Sequence, residues 1–119
     1  MSIPDEFSLL SLFECEPKFL GNNIPHFYNE AIYEFNNSAN ERFIVSICPS
    51  YSDIRIQVYS TDNNELLSFL DFKCVDGIEI LSDKMEESKI AIKTERGLVK
   101  INFKPRFKVF LYLANSELS

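Results

Sequence analysis

The sequence has no tryptophan, one histidine, three glycines and three cysteines among its 119 residues. Three isolated glycines cannot line the glycine-rich loops that cradle nucleotide phosphates, which argues against nucleotide-dependent chemistry. The longest apolar runs span a few residues, far short of the roughly 20 that cross a bilayer. The N-terminus carries acids where a secretory signal has basic residues. These features predict a cytoplasmic protein that makes no membrane contact.

The scarce reactive residues carry no catalytic signature. His26 stands between Pro25 and Phe27, which favours a partly buried structural role over general acid or base catalysis. The three cysteines are odd in number and form no CxxC pair, so they predict buried, reduced thiols. One histidine does not complete a metal-ligand set with them. The sequence therefore predicts no catalytic residue, no cofactor and no metal, and so a protein that is not an enzyme.

What the sequence does contain is sufficient for an ordinary core. It is 45% hydrophobic and 25% charged, with eleven phenylalanines and five tyrosines. This composition is typical of a folded globular protein. No repeat, low-complexity tract or linker divides the chain, so residues 1–119 are predicted to form a single globular domain.

Alternation of apolar and polar residues indicates β-strands. Residues 53–59 place Ile54, Ile56 and Val58 at every second position, as a half-buried antiparallel strand requires. Residues 89–94 and 99–103 alternate in the same way around a glycine-containing turn at 95–97, which predicts a hairpin. Pro105 interrupts the pattern before a last strand at 107–113.

Further strands are predicted at 42–48, 65–74 and 76–81, with turns at 36–40, 49–52, 61–64 and 82–88. Residues 25–35 fit either a helix or a strand, and crowded aromatic and β-branched residues favour a strand at 31–36. Phe7 to Phe13 fits a short helix capped by Ser2 or Asp5. The predicted fold is mainly β: an antiparallel sandwich or rolled barrel of six to eight strands with a short N-terminal helix. An α+β arrangement is the alternative.

Charge is distributed unevenly along the chain. Residues 1–88 hold 16 acids and 5 bases, a net charge of -11, whereas residues 89–119 hold 2 acids and 7 bases, a net charge of +5. The lysines of the last hairpin can pair with acidic strands of the same chain. Alternatively, the surplus acids form a patch for a basic protein. Phosphate or nucleic-acid binding by the hairpin is the third and weakest alternative, because its six bases are not interleaved with exposed aromatic residues.

In type, the chain resembles the small cytoplasmic immunity proteins of bacterial polymorphic toxin and contact-dependent growth inhibition systems. The resemblance lies in its size, its acidic total, its Asn- and Ile-rich composition and four segments: Phe7–Phe13, Asp53–Tyr59, Leu70–Phe72 and Ile101–Pro105. Such proteins share no catalytic residues, so no site is transferred by position. The resemblance implies a protein that binds and neutralises one cognate toxin domain, a cationic nuclease, by covering its active site or an adjacent surface.

On this hypothesis the partner is a basic toxin protein, with no direct contact to nucleic acid, and the chain is expected to be a monomer. A standard interface needs about 800 Å² per partner, which acidic, tyrosine-bearing segments can supply. The predicted partner-binding residues are Tyr51 and Tyr59 as aromatic anchors, with the acids Asp53, Asp62, Glu65, Asp83, Glu86 and Glu87. The alternative function is a small-ligand-binding barrel or sandwich whose aromatic residues line a pocket.

Overall fold

The computed structural model describes residues 1–20 and 30–113, and of residues 19 and 20 only the backbone. His26 and Gly21 lie outside the described residues. The described elements are one α-helix, nine β-strands and a short 3-10 helix at Pro49–Tyr51. Their bounds are α1 Glu6–Phe13, β1 Lys18–Leu20, β2 Glu30–Asn36, β3 Glu41–Cys48, β4 Asp53–Ser60, β5 Leu66–Phe72, β6 Val75–Lys84, β7 Glu87–Thr94, β8 Gly97–Lys104 and β9 Lys108–Leu113.

The strands form two open antiparallel sheets. The first sheet has the order β1-β2-β3-β4-β5 and the second has the order β6-β7-β8-β9, so within each sheet neighbouring strands are also consecutive in sequence. This confirms the mainly β, antiparallel prediction, with open sheets in place of a rolled barrel. Eight of the described strands have six or more residues, and the three-residue β1 was not predicted.

A single core joins α1 to both sheets. Ile54, Ile56 and Val58 of β4 are fully buried, as their alternation predicts. Four phenylalanines meet at the centre, one each from α1, β2, β3 and β8, with ring centroids 4.8–5.6 Å apart. Such offset and edge-to-face contacts add to the free energy gained by burying the rings. The four phenylalanines are Phe13, Phe35, Phe43 and Phe103.

The N-terminal helix is capped as predicted by one of the two candidate residues. The Asp5 carboxylate accepts a hydrogen bond from the Ser8 backbone N–H at 2.8 Å. Ser2, the other candidate, instead forms a bridge to β6, where its carbonyl accepts from the Ile78 N–H at 2.8 Å. A Cβ on Gly77 would stand 3.0 Å from that carbonyl oxygen, a tight contact that favours glycine at this position.

Two expectations from the sequence are wrong. Residues 82–88 do not form a loop: β6 continues to Lys84 and β7 begins at Glu87, so the turn is only two residues long. Both strands end in polar residues here, so the sequence at 82–88 resembles a polar turn. The cysteines are also not uniformly buried. Cys48 is buried and Cys15 is half-buried, but Cys74 is exposed in the two-residue link between the sheets, with a φ of 55°.

Candidate partner-binding surface

Four turns meet at one end of the molecule, which we call the turn end: residues 37–40, 61–65, 85–86 and 105–107. The Thr61 N–H donates to the Asn40 carbonyl at 2.9 Å, which joins the first two turns. The Asn37 side chain donates to the Phe103 carbonyl at 2.8 Å and so links the two sheets. A groove of about 650 Å³ separates the 37–38 turn from Met85, Glu86 and Pro105.

The turn at 61–65 presents Asp62 and Glu65 to solvent. Side chains within the turn fix its backbone: the Asp62 N–H donates to the Ser60 hydroxyl at 3.2 Å, and the Glu65 N–H donates to the Asn63 amide oxygen at 3.0 Å. Within the described residues, no Lys or Arg nitrogen lies within 4 Å of either carboxylate. Their negative charges are therefore available to a partner.

The β6–β7 hairpin contributes one free acid and two that are engaged. Glu86 is exposed at the tip beside Met85, whose side chain is 89% exposed. Asp83 accepts a hydrogen bond from the Ser11 hydroxyl of α1 at 2.6 Å. Hydrogen bonds from the Ser82 hydroxyl and then from Lys89 lower the pKa of Glu87. Asp83 and Glu87 thus hold the hairpin in place, whereas Glu86 faces outward.

Tyr51 and Asp53 lie far from the turn end. Asp53 begins β4, and the seven residue steps to Ser60 at its other end span about 23 Å in an extended strand. Tyr51 is 56% exposed on the 3-10 helix beside Asp53. The Lys73 ammonium lies 3.2 Å from the Asp53 carboxylate, whose hydrogen bond and charge raise the pKa of Lys73. The structure does not bring this pair together with Asp62, Glu65 and Glu86.

Tyr59 lies on the outer face of β4, near the turn end but only half exposed. The Arg42 guanidinium stands 4.9 Å from the centre of its ring. The same Arg42 group donates to the Glu34 carboxylate at 2.9 Å and to the Asn64 amide oxygen at 3.2 Å. Tyr59 is therefore already covered by a cation of its own chain, and Arg42 links it to the 61–65 turn.

The lysines of the last hairpin pair mostly with acids of the same chain, as one of the three interpretations expects. Lys93 lies 3.2 Å from the Glu79 carboxylate, and Lys89 lies 3.2 Å from that of Glu87. Lys104 pairs with Glu14 at the end of α1. These pairs account for three bases of the hairpin, and among the described residues no carboxylate lies within 4 Å of Lys100, Arg106 or Lys108. At the turn end, Asp62, Glu65 and Glu86 are the acids without an ion pair in the described part of the chain.

Apolar side chains next to these acids were missed by the sequence analysis. Leu66 and Leu67 follow Glu65 directly and are 48% and 49% exposed, and Phe69 is 49% exposed. Strand β5 shows no alternation in its sequence, so period-two reasoning assigned no residue of it to a binding surface. The only available signal was the position of this apolar run immediately after an acidic turn.

The alternative of an aromatic-lined ligand pocket finds little support in the core. The phenylalanines that would line such a pocket contact one another and fill the interior. The larger concavities are surface grooves of about 690 and 750 Å³, both lined largely by charged and polar side chains. A small-molecule site is typically mainly apolar, with a few polar groups that orient the ligand.

The described residues contain no group of three or more His, Cys, Asp or Glu side chains positioned to hold a metal ion. Burial raises the pKa of the Cys15 and Cys48 thiols, which disfavours the thiolate that a nucleophilic cysteine needs. In the parts of the chain that are described, no helix is long and apolar enough to cross a membrane.

No protein-family model matches the sequence, and no curated protein matches it. One similar solved structure is a contact-dependent growth inhibition toxin–immunity protein complex from Klebsiella pneumoniae 342. The match has a TM-score of 0.69 at 22% sequence identity and covers 95% of this chain and 96% of the matched chain. At this identity the similarity establishes a shared fold over nearly the whole length of both chains.

Proposed function

We propose that this chain is an immunity protein that binds and neutralises a cognate toxin domain in the cytoplasm. The partner is a basic protein, a cationic nuclease, and the chain acts by covering its active site or an adjacent surface. The chain itself carries out no catalysis, uses no cofactor and contacts neither nucleic acid nor membrane. The small-ligand alternative lacks a specific observation in its favour.

The fold similarity carries this proposal. It extends over 95% of the chain to a protein solved as part of a toxin–immunity complex. A fold alone does not determine function, so the second support is the charge of the surface. The chain has a net charge of -6, and the turn end includes the carboxylates of Asp62, Glu65 and Glu86, whose negative charge would attract a basic partner.

The turn end has the composition of a docking surface for such a partner. Asp62, Glu65 and Glu86 are free carboxylates, while Leu66 and Met85 are exposed apolar side chains beside them. A standard interface of about 800 Å² would occupy roughly a ninth of the 7432 Å² accessible surface. Apolar contacts exclude water around the charge pairs, and the carboxylates attract the partner from a distance.

The first test is neutralisation in cells. The partner to be tested is the toxin domain of a large secreted protein, to be sought in the genes beside this one, expressed alone and with this chain. We expect the domain to arrest growth and this chain to restore it. The purified pair should elute as one complex. Continued growth arrest in the presence of folded, soluble chain would contradict the proposal.

The second test locates the surface. The double variant Asp62→Lys/Glu65→Lys should slow association with that toxin domain by about tenfold or more at low salt, since it reverses the attraction that steers encounter. The matched control is Asp76→Lys/Glu95→Lys, which makes the same charge change at exposed positions of the opposite end. Stopped-flow or biolayer kinetics give both rates. Equal slowing by the two variants would exclude the turn end as the recognition surface.

A further inference from the structure

Strand β9 is a free edge with an unusual side-chain pattern. Within the described residues β9 pairs only with β8, and the pairing from Gly97↔Leu113 to Asn102↔Lys108 has no register shift. After Lys108 the strand contains neither a charge nor a proline. Four consecutive large apolar residues are exposed, by 42%, 63%, 51% and 71%: Phe110, Leu111, Tyr112 and Leu113.

The other long edges of the two sheets are protected, and β9 is not. Natural proteins blunt edges with bulges, charges or covering segments, because an open edge pairs with other strands. Strand β6 has two register shifts and is partly covered by Ser2 and α1. Strand β5 carries Asp71 and pairs with β4 through an irregular register. Strand β9 has no such device after Lys108.

The inner side of β9 also extends beyond the first sheet. By register, Leu111 lies opposite the buried Val99, so it projects from the same face, toward the core. Leu113 projects from this face as well. Both are nevertheless mostly exposed, which shows that the first sheet does not cover this part of the strand. An occupant of the edge must therefore supply apolar side chains on both faces of its own strand.

We infer that the occupant is β9 of a second copy of this chain, paired antiparallel about a two-fold axis at Leu111. In this register Phe110 lies opposite Tyr112 of the partner subunit on the outer face, and Val109 lies opposite Leu113 of the partner subunit on the inner face. Aromatic pairs are among the favourable cross-strand contacts. Lys108 falls outside the paired segment, so no like charges oppose each other. The two second sheets then join into one eight-stranded sheet.

The exposed area sets the strength of this association. Half-exposed side chains of this size each present on the order of 100 Å², so the four from each copy bury about 800 Å² in total. Backbone hydrogen bonds along the edge add to the association free energy. This size belongs to the weak class of interfaces, and the expected dimer dissociates on dilution. This dimer differs from the monomer expected from the sequence, and the inference does not depend on the proposed function.

Sedimentation velocity of the full chain without toxin tests the dimer. The mass should rise from the 13.8 kDa of one chain toward twice that value as the concentration increases to about 100 μM. Leu111→Lys puts two like charges on the axis and should keep the chain monomeric. The matched control is Leu81→Lys on β6, which is 42% exposed at the other edge of the sheet and should still dimerise. A monomer at every concentration, or equal loss in both variants, would refute the inference.

Disulfide trapping tests the register. In a Cys74→Ser background, Leu111→Cys should form a disulfide-linked dimer on mild oxidation, because the two Cα atoms face each other within bridging distance. The control Leu113→Cys should not, since its own symmetry mate lies about 13 Å along the strand. Efficient trapping of Leu113→Cys instead of Leu111→Cys would overturn the proposed pairing. Protection of β9 amides from hydrogen exchange only when toxin is bound would assign the edge to the toxin and also overturn it.

Discussion

The outer faces of the two sheets differ in how their charged side chains are arranged. On the first sheet, charges pair across neighbouring strands: Arg42 with Glu34, Arg55 with Asp71, and Lys73 with both Asp53 and Asp71. On the second sheet, Lys93 pairs with Glu79 and Lys89 pairs with Glu87 on β6 and β7. Toward β9 the exposed side chains are mainly apolar, and Lys100 lies 5.1 Å from the centre of the Tyr112 ring. The first face is an ion-pair network, and the second combines two separate ion pairs with an exposed apolar surface toward β9.

The sequence totals show the same contrast. Residues 1–74 contain 11 acids and 4 bases, a net charge of -7, and residues 75–119 contain 7 acids and 8 bases, a net charge of +1. The first sheet uses Arg42 and Arg55 in cross-strand pairs, while Asp62 and Glu65 in the β4–β5 turn have no Lys or Arg nitrogen of the described residues within 4 Å. The second sheet is nearly neutral, and its distinctive feature is the exposed apolar side chains of β9. The two surfaces therefore suit different partners: a basic protein at the turn end, and an apolar strand at the edge.

The largest expected effect comes from the residue that ties the two sheets together. Phe103 of β8 is fully buried against Phe13, Phe35 and Phe43. Phe103→Ala should lower the free energy of unfolding by about 3–5 kcal/mol, because it removes a large side chain and leaves a cavity. Urea denaturation measures the change. The control Phe110→Ala, on the exposed face of the same sheet, should cost about 1 kcal/mol or less. Similar losses in the two variants would mean that the sheets do not share one core.

Much of this fold is readable from the sequence. In strand β4 and the β7–β8 hairpin, apolar and polar residues alternate because one side of each strand is buried and the other faces solvent. Strand β5 was also predicted as a strand, but its sequence does not show which side is buried, because it is an edge strand with apolar residues on both sides. The hairpin at 82–88 was mistaken for a loop because both of its strands are polar near their ends.

The candidate surface was less predictable than the fold. Acidic residues can be counted in a sequence, but pairing decides which of them are free. Asp83 and Glu87 are bonded to Ser11, Ser82 and Lys89, and the first of these contacts joins residues 72 positions apart. Nothing local distinguishes them from Glu86, which is exposed beside them. The separation of Tyr51 from the turn end likewise follows from strand direction, which composition does not reveal.

A smaller loss of folding free energy should distinguish variants on the two outer faces. Arg42→Met removes an ion pair with Glu34, a hydrogen bond to Asn64 and the contact with Tyr59, and should cost about 1 kcal/mol. Lys100→Met on the second sheet removes only the contact with Tyr112 and should cost about half of that. Chemical denaturation at low and at 1 M salt measures both, and salt should reduce only the Arg42 loss substantially. Equal losses and equal salt dependence would contradict the contrast between the faces.

The smallest effect concerns α1, which packs against β2 and β6 and so links the sheets at the side away from β5 and β9. The Ser8 backbone N–H holds the pKa of Asp5 below its ordinary 3.8. The folded state therefore favours the carboxylate, and its contribution to stability is present above pH 3.8 and is lost as the pH falls through the lower folded pKa. Asp5→Ala should lower the melting temperature slightly at pH 7, and the difference from the parent chain should shrink below pH 3.8. Asp5→Asn retains the accepting oxygen and should lose less at pH 7, since an amide still caps the helix. If Asp5→Ala and Asp5→Asn lost the same amount at every pH, the hydrogen bond to Ser8 would contribute nothing, and packing alone would hold the helix between the sheets.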